Sequence, residues 1–435
     1  MKKTLTILIT IPLFIYGQKK KSIDDIQYKR NSLSIHLVSD GEFDNKEKVL
    51  NAYNNYNFPD KYNDHRIGSS NVDLSNVEFS EEEFNIILEE LGETKESYDD
   101  KIKIGKEIFG ENYKDERLDV FKIKKFIQDS KMGSMIIDKW YDNNNDGKFD
   151  IDLITERGLF NASKEDIDKA RSEATGTNVI VTGAALDLIP QTYVVFNKMS
   201  FVSNELMAAF VKEMAMKEIN KMDEGLPKEL AIKAAEKVYE KTSEGYSVWT
   251  TAFLFKFKWD EQDQINLYTS WEKNEEVKDE FLKNDFSLDL VGTEKANSLV
   301  TFSLKAEDKD RSEDDIINLA TVRNVEKVFS KLTKNYEDFK PKVPLVEFKP
   351  LTAFIGMKEG LEGGETFEVL NEEYDSKTGR TIYKSVGKVK VDKKSIWDNR
   401  YSLDGEPNDP NGPDRTTFKG KAKKATYGSL LRLIK

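Results

Sequence analysis

The stretch 246–260, YSVWTTAFLFKFKWD, decides the fold of the central part of this chain. At the two-residue period of a β-strand, its first face carries Trp249, Thr251, Phe253, Phe255, Phe257 and Trp259. The opposite face carries Val248, Thr250, Ala252 and Leu254 before it becomes charged at Lys256 and Lys258. Each buried aromatic side chain removes about 150–250 Å² from water, so the first face supplies the largest local hydrophobic drive in the chain. We predict a central strand with one wholly buried face, flanked by amphipathic helices. The strand spacing places Trp249 and Trp259 in the core rather than in a sugar-binding cleft.

Local signals predict the elements around this strand. Ser80 with Glu83, and Ser312 with the acidic residues that follow it, form capping patterns ahead of apolar positions at helical spacing. A further helix is predicted over 119–130. Strands are predicted at 32–38 and 191–196, and a hairpin is predicted from 286–291 and 298–304.

The pattern of predicted elements changes after a linker that is marked by Pro341, Pro344 and Pro350. Beyond it, short strands alternate with glycine-bearing turns, at 351–355, 366–370, 380–391 and 430–434. The fold class we predict is α+β. It comprises a helix-rich N-terminal region (18–190), a mixed α/β central domain (191–340) and a small C-terminal β-barrel-like module (341–435).

Composition limits the classes of function. The chain has 435 residues, a formal net charge of −12, and 38% hydrophobic and 34% charged residues, which is typical of a globular protein. An acidic chain repels nucleic-acid phosphates, so we predict no nucleic-acid partner. Cysteine is absent, which excludes disulfides and thiolate chemistry.

The first 17 residues, MKKTLTILITIPLFIYG, combine a basic start with a short apolar run. The run is too short to cross a bilayer, so we interpret 1–17 as a secretory signal peptide cleaved near Gln18. No later stretch has the length and apolar character of a transmembrane helix. We therefore predict an exported protein, located in the periplasm, at the outer membrane or in the medium.

One loop resembles a calcium site. Asp142, Asn144 and Asp146 occupy positions 1, 3 and 5 of a calcium loop, Gly147 occupies position 6, and Asp150 occupies position 9. Position 12 is a leucine rather than a bidentate carboxylate. These four oxygen-bearing residues predict a weak Ca²⁺ site, and the alternative is a polar surface turn.

Catalytic signatures are scarce. His36, in a predicted strand, and His65, in a polar turn, are the two histidines, and no HExxH spacing exists. Neither a G-x-S-x-G elbow, a Walker A loop nor a dinucleotide fingerprint is present. We therefore assign no catalytic residue and no cofactor apart from the weak Ca²⁺ candidate. Carboxylates are abundant, so a paired Asp/Glu glycosidase stays open.

The run 396–401, IWDNRY, ends a predicted strand with an amphipathic cluster. It is either a corner that closes the barrel or a rim at which Trp397, Arg400 and Tyr401 contact a partner.

Several segments together resemble an uncharacterised family of exported proteins from Bacteroidota-type bacteria. They are NYNFPDKYNDH (55–65), FDIDLITERGLFNAS (149–163), IGMKEG (355–360), FEVL (367–370) and the IWDNRY run. The resemblance implies export, and because that family has no known activity, it transfers no catalytic residue to this chain. The tail is also similar to small β-modules of envelope assembly proteins, through Gly356, Lys358 and Gly360 followed by Phe367 and Val369.

The function predicted from these observations is that of an exported, non-catalytic binding or assembly protein of the cell envelope. Its partner would be an envelope protein or a glycan. The alternative is a carboxylate-based hydrolase of envelope or extracellular glycans. A deep cleft with two carboxylates about 5–9.5 Å apart would favour the hydrolase. A shallow apolar patch on the β module would favour the binding protein.

Overall fold

A computed structural model describes most of the chain. The described residues are 31–41, 45–54, 56–109, 113–143, 150–159, 185–203, 219–243, 246–271, 286–300, 312–375, 380–403, 407–426 and 428–434, with single positions at 205, 208, 209, 212, 215, 216 and 405. Residues 1–17, the predicted signal peptide, lie outside them. None of the helices in the described ranges has the length and apolar character that a membrane span requires.

The described chain forms an α+β structure with two sheets, as predicted. The six-stranded first sheet has the order β2-β1-β4-β5-β6, with β3 also beside β1. Its strands are β1 (Ser32–Ser39), β2 (Asn63–Asp64), β3 (Asn71–Asp73), β4 (Thr192–Ser203), β5 (Tyr246–Phe257) and β6 (Leu288–Val300). Strand β1 runs parallel to its three neighbours, whereas β4, β5 and β6 are antiparallel.

Strand β5 is the predicted central strand, and its aromatic face is buried at Phe253, Phe255, Phe257 and, just beyond the strand, Trp259. One detail of the prediction is wrong. Trp249 is 42% exposed, because the burial of this face does not extend to that end of the strand. The opposite face is also buried, at Val248, Thr250, Ala252 and Leu254.

Helices cover both faces of the first sheet. Helices α4 (Asp119–Asp129), α5 (Met132–Tyr141) and α6 (Asp152–Leu159) share one core with the aromatic face of β5. Helices α1 (Lys46–Asn54) and α9 (Glu313–Asn335) share a second core with the opposite face. The remaining described helices are α2 (Glu81–Glu90), α3 (Lys95–Phe109), α7 (Leu226–Thr242) and α8 (Glu261–Trp271).

The capping predictions are confirmed. The Ser80 hydroxyl accepts the Glu83 N–H while the Glu83 carboxylate accepts the Ser80 N–H, and Ser312 with Asp315 does the same at the start of α9. The predicted hairpin of 286–291 and 298–304 is wrong, because residues 288–300 form the single strand β6, paired with β5 along its length. Residues 301–304 lie outside the described residues. Strand β6 does not turn at Gly292. Leu254 pairs with Gly292 and Phe255 pairs with Leu290, so the register between β5 and β6 shifts by one residue at this point.

The second sheet is a curled half-barrel, which confirms the barrel-like module. Its seven strands have the order β7-β13-β10-β11-β12-β9-β8. They are β7 (Val343–Pro344), β8 (Glu347–Phe348), β9 (Leu351–Ala353), β10 (Thr366–Asp375), β11 (Arg380–Val391), β12 (Thr416–Lys421) and β13 (Leu430–Leu433). Phe367, Val389 and Phe418 lie in its apolar core.

Helix α9 joins the half-barrel to the first sheet. Gly360 of the half-barrel has φ +81°, and a Cβ built there would lie 2.8 Å from the Ser330 hydroxyl. Glycine therefore permits the close approach of these two segments. Strand β1, from the predicted N-terminal region, lies beside β4 of the predicted central domain. The domain boundaries themselves stay a prediction.

Candidate functional site

A cleft opens at the edge of the first sheet, beside the middle of β1. Strand β2 pairs with β1 at Ser32 and Leu33, and β3 pairs with it from Leu37 onward. The connecting loop 65–70 leaves the intervening edge of β1 open. The volume of the cleft is about 420 Å³, within the range of small-ligand sites.

The cleft is lined by aromatic and polar residues. The described residues that line it are Ser34, Ile35, His36, Tyr53, Asn54, Tyr56, Phe58, Arg66, Ile67, Gly68 and Ser70. Arg66 is the one charged side chain among them, and none of them is a carboxylate. Its guanidinium lies 5.8 Å from the centre of the Phe58 ring and 3.2 Å from the Asp64 carboxylate. Arg66 therefore gives the cleft one cationic group, whose charge the neighbouring Asp64 carboxylate offsets.

His36 forms the floor of the cleft and is neutral at physiological pH. Its Nδ1 donates to the Ser69 carbonyl at 2.7 Å, so its Nε2 accepts the Ser34 hydroxyl at 2.9 Å. The ring stacks on Phe196 at 5.2 Å. Burial lowers the pKa of His36 to about 4, against the smaller opposing effect of the hydrogen bond to Ser69.

Ser34 and His36 resemble the nucleophile and base of a hydrolase, but their setting differs. Ser34 is fully buried, and its hydroxyl accepts the Ile67 N–H at 3.2 Å. A backbone carbonyl, rather than a carboxylate, orients the imidazole. The arrangement supports a structural hydrogen-bond chain beneath the cleft.

A second buried network lies next to this floor. Arg157 donates to the Ser32 hydroxyl at 2.8 Å, to His65 Nδ1 at 3.0 Å and to the Asp64 carbonyl at 2.8 Å. Burial lowers the pKa of Arg157 to about 10 and lowers that of His65 well below its usual value. His65 Nε2 lies 3.4 Å from the Ile136 carbonyl.

All four histidine ring nitrogens thus have protein partners, so neither histidine offers a free ligand to a metal. The described residues contain no group of three or more His, Cys, Asp or Glu side chains placed to hold a metal ion.

Carboxylates converge at a different place, between α9 and the half-barrel. Asp60, Glu326 and Glu359 line a crevice of about 30 Å³, which is room for one or two water molecules. Glu326 accepts the Tyr401 N–H, and Glu359 accepts the Gly356 N–H at 2.7 Å. The crevice is too small for a sugar ring. Glu326 joins α9 to the half-barrel through the Tyr401 N–H, whereas Glu359 and Asp60 accept hydrogen bonds from groups of their own regions.

The predicted calcium loop is described only at its ends. Asp142 follows α5 and Asp150 precedes α6, and the Asp150 N–H donates to the Tyr141 carbonyl at 2.8 Å. The Asp150 carboxylate also accepts the Asp152 N–H at 3.1 Å. Asn144 and Asp146 lie outside the described residues, so the calcium site stays a prediction.

The predicted partner-binding residues lie where the half-barrel meets α9. The Tyr401 N–H donates to Glu326 at 3.2 Å, and its carbonyl accepts from Arg323 at 3.2 Å. Arg400 forms a bidentate pair with Asp398 at 2.8 and 2.6 Å. The Trp397 ring lies edge-on to Phe354 at 6.1 Å. Their role in binding a partner stays a prediction.

Comparison of the chain with models of protein families gives no match, and comparison with curated proteins gives no significant match. The cleft therefore carries the functional argument. The sequence predicted a strand at His36 and a turn at His65, but it did not predict that the residues of the cleft lie close together. Its members come from β1, α1 and the loops on either side of β2, and no local spacing connects them.

Proposed function

We propose that this protein is an exported, non-catalytic binding protein of the cell envelope, and that its ligand occupies the cleft beside β1. The observation that carries the proposal is a cleft of about 420 Å³ with aromatic side chains, an arginine at its rim and no carboxylate among its described lining residues. Export is supported by the basic and apolar pattern of residues 1–17.

The hydrolase alternative needs two carboxylates that flank a substrate. The described residues that line the larger cleft include no carboxylate, and the crevice that contains carboxylates is too small for a sugar. The geometry of the described residues therefore favours binding over carboxylate-based hydrolysis.

The test is cosedimentation of the mature protein with membrane and cell-wall fragments of the source organism. Helix α1 offers a matched pair of variants, because Asn54 and Asn51 are both exposed and Asn54 lines the cleft. Asn54→Trp fills the cleft and should lower the apparent affinity by about tenfold or more. Asn51→Trp should sediment like the wild type.

Equal sedimentation of the wild type and both variants would show that the cleft is not the binding site. A wild-type protein that stays in the supernatant would contradict envelope binding itself.

A further inference from the structure

The backbone of Ile35 presents one donor and one acceptor to the cleft. The Leu33 carbonyl accepts the His65 N–H at 2.9 Å, and the Leu37 N–H donates to the Ser70 carbonyl at 2.8 Å. Odd-numbered residues of β1 therefore direct their backbone groups away from β4, toward β2 and β3. By this alternation the Ile35 N–H and C=O point into the gap, and neither has a hydrogen-bond partner within the described part of the chain.

The loop that closes the gap does not replace the missing partner. The Ile67 N–H donates to the Ser34 hydroxyl instead of to Ile35, and the Ser69 carbonyl accepts from His36. The edge of β1 is thus left open for a single residue, with a short strand on each side. Half-buried Ile35 has a donor and an acceptor that a ligand can pair.

The direction of these two groups selects the ligand. The N–H and C=O of one strand residue point to the same side, so they match the N–H and C=O of one residue on an antiparallel neighbour. A single acetamido group directs its N–H and C=O in opposite directions, because the amide is trans. The open edge therefore favours a peptide over an N-acetylated sugar.

The ends of the gap set the position of the peptide. In an antiparallel pair, the ligand carbonyl faces the Ile35 N–H, on the side where β2 ends at Asp64. Because β2 blocks the edge there, the peptide ends at this point, and because β3 occupies the edge from Leu37 onward, the preceding peptide residues leave the edge toward solvent. Arg66 follows β2 by two residues and pairs with the exposed Asp64, a partner that it can exchange for another carboxylate.

We infer that the cleft binds the C-terminal residue of a peptide of L-amino acids. The last residue pairs with Ile35, its α-carboxylate contacts Arg66, and its side chain lies among Tyr53, Tyr56 and Phe58, which favours an apolar residue. The inference rests on the proposed function and names the ligand class of the same cleft.

The experiment measures fluorescence anisotropy of the mature protein with a fluorescein-labelled peptide, Ala-Gly-Ser-Ala-Phe, that has a free C-terminus. Saturable binding is expected. Amidation of the terminus should weaken binding about tenfold, and N-methylation of the last peptide nitrogen should weaken it similarly by removing the donor to Ile35.

Protein variants separate the contacts. Arg66→Gln should weaken binding of the free-acid peptide about tenfold and leave the amidated peptide unchanged. Asn54→Trp should abolish binding of both peptides, and Asn51→Trp should affect neither.

Equal affinity for the free-acid and amidated peptides would overturn carboxylate recognition. Tighter binding of a peptide that ends in D-phenylalanine would overturn the L-peptide assignment in favour of a cell-wall stem peptide. If Asn54→Trp abolishes envelope cosedimentation but no peptide binds, the inference fails while the proposed function stands. If peptides bind and envelope fragments do not, the proposed function fails.

Discussion

The two sheets of this molecule differ in how they are covered and in which side chains they bury. The first sheet is covered by helices on both faces, and its middle layer contains polar groups such as His36, Asn197 and Thr250. The half-barrel packs around an apolar cluster that includes Phe367, Val389 and Phe418, and its buried polar residues, such as Thr352 and Thr416, carry hydroxyl groups. Buried polar groups need specific partners, whereas an apolar core needs only volume and shape.

This difference locates the candidate site. In the first sheet, one group of buried polar residues, which includes Ser34, His36 and Arg157, lies at and beside β1, next to the one open edge of that strand, whereas others such as Thr250 lie on β5. Fixed hydrogen bonds there orient the floor of the cleft. The half-barrel contributes instead to the contact with α9. Substitutions in either sheet, or at the contact between them, test this comparison.

The largest effect is expected from truncation of core phenylalanines. Phe255 meets Phe196 edge-on at 5.7 Å, and Phe367 meets Phe418 at 5.3 Å. Phe255→Ala and Phe367→Ala should each lower the free energy of unfolding by about 3–5 kcal/mol, as lost core aromatic side chains do. The loss in the free energy of unfolding can be measured by denaturant unfolding that is monitored by tryptophan fluorescence.

Ile382→Ala is the matched surface control, because Ile382 is 47% exposed. Its effect should stay within about 0.5 kcal/mol. A loss below about 1 kcal/mol for Phe255→Ala would show that the aromatic face of β5 is not core.

The second prediction concerns acid sensitivity of the first sheet. The pKa of His36 is about 4 when folded and 6.5 in its ordinary state, so the unfolded chain binds the proton first as pH falls. The stability contribution is complete above pH 6.5 and should decrease by about 3 kcal/mol on acidification to pH 4. His65, whose pKa is also lowered by burial, acts in the same direction.

Free energies of unfolding measured between pH 7.5 and pH 4 check this. His36→Asn removes the titrating group, so its pH dependence should be flatter than that of the wild type. The same slope in both proteins would mean that His36 takes up its proton in the folded state.

The parts that the sequence predicted are those with local causes. The capping residues Ser80 and Ser312 act within one helical turn, and the aromatic period of β5 follows from its own pleat. The burial of the opposite face depends on α9, far along the chain, where Asn324 donates to the Thr250 hydroxyl. The alternation of β5 alone does not reveal such a covering helix.

The cleft had no sequence signal for the same reason. Ile35, Tyr56 and Arg66 are separated by the helix α1 and the short β2, and only the pairing of β1 with two partial neighbours creates the open edge. Regions that depend on long-range strand pairing are the ones that composition and spacing leave undetermined.

A smaller effect is expected at the contact between the two sheets. Burial raises the pKa of Glu326 to about 6, against the hydrogen bond from the Tyr401 N–H. A carboxyl with a raised folded pKa favours the folded state at low pH, and this contribution is lost as pH rises from 4.5 through 6. Glu326→Gln keeps an acceptor for Tyr401 and should raise the free energy of unfolding by about 1–2 kcal/mol at pH 7.5.

The same variant should give no gain at pH 4.5, where Glu326 is already protonated in the folded state. Thermal unfolding at the two pH values compares them. A gain that does not change with pH would assign the effect to packing rather than to the charge of Glu326.

The smallest effect is expected at the loop between α5 and α6, on the helical side of the first sheet. If Asp142, Asn144, Asp146 and Asp150 bind Ca²⁺, the leucine at position 12 leaves the ion without its bidentate carboxylate. The dissociation constant should therefore lie at about 10⁻⁴–10⁻³ M, the range of extracellular modules. Calcium at ten times this constant stabilises the folded state by only about 1.4 kcal/mol.

Millimolar calcium should raise Tm slightly, magnesium should not, and Asp146→Ala should abolish the shift. An unchanged Tm in about 10 mM calcium would identify the loop as a polar turn, which its Asn and Asp residues also favour.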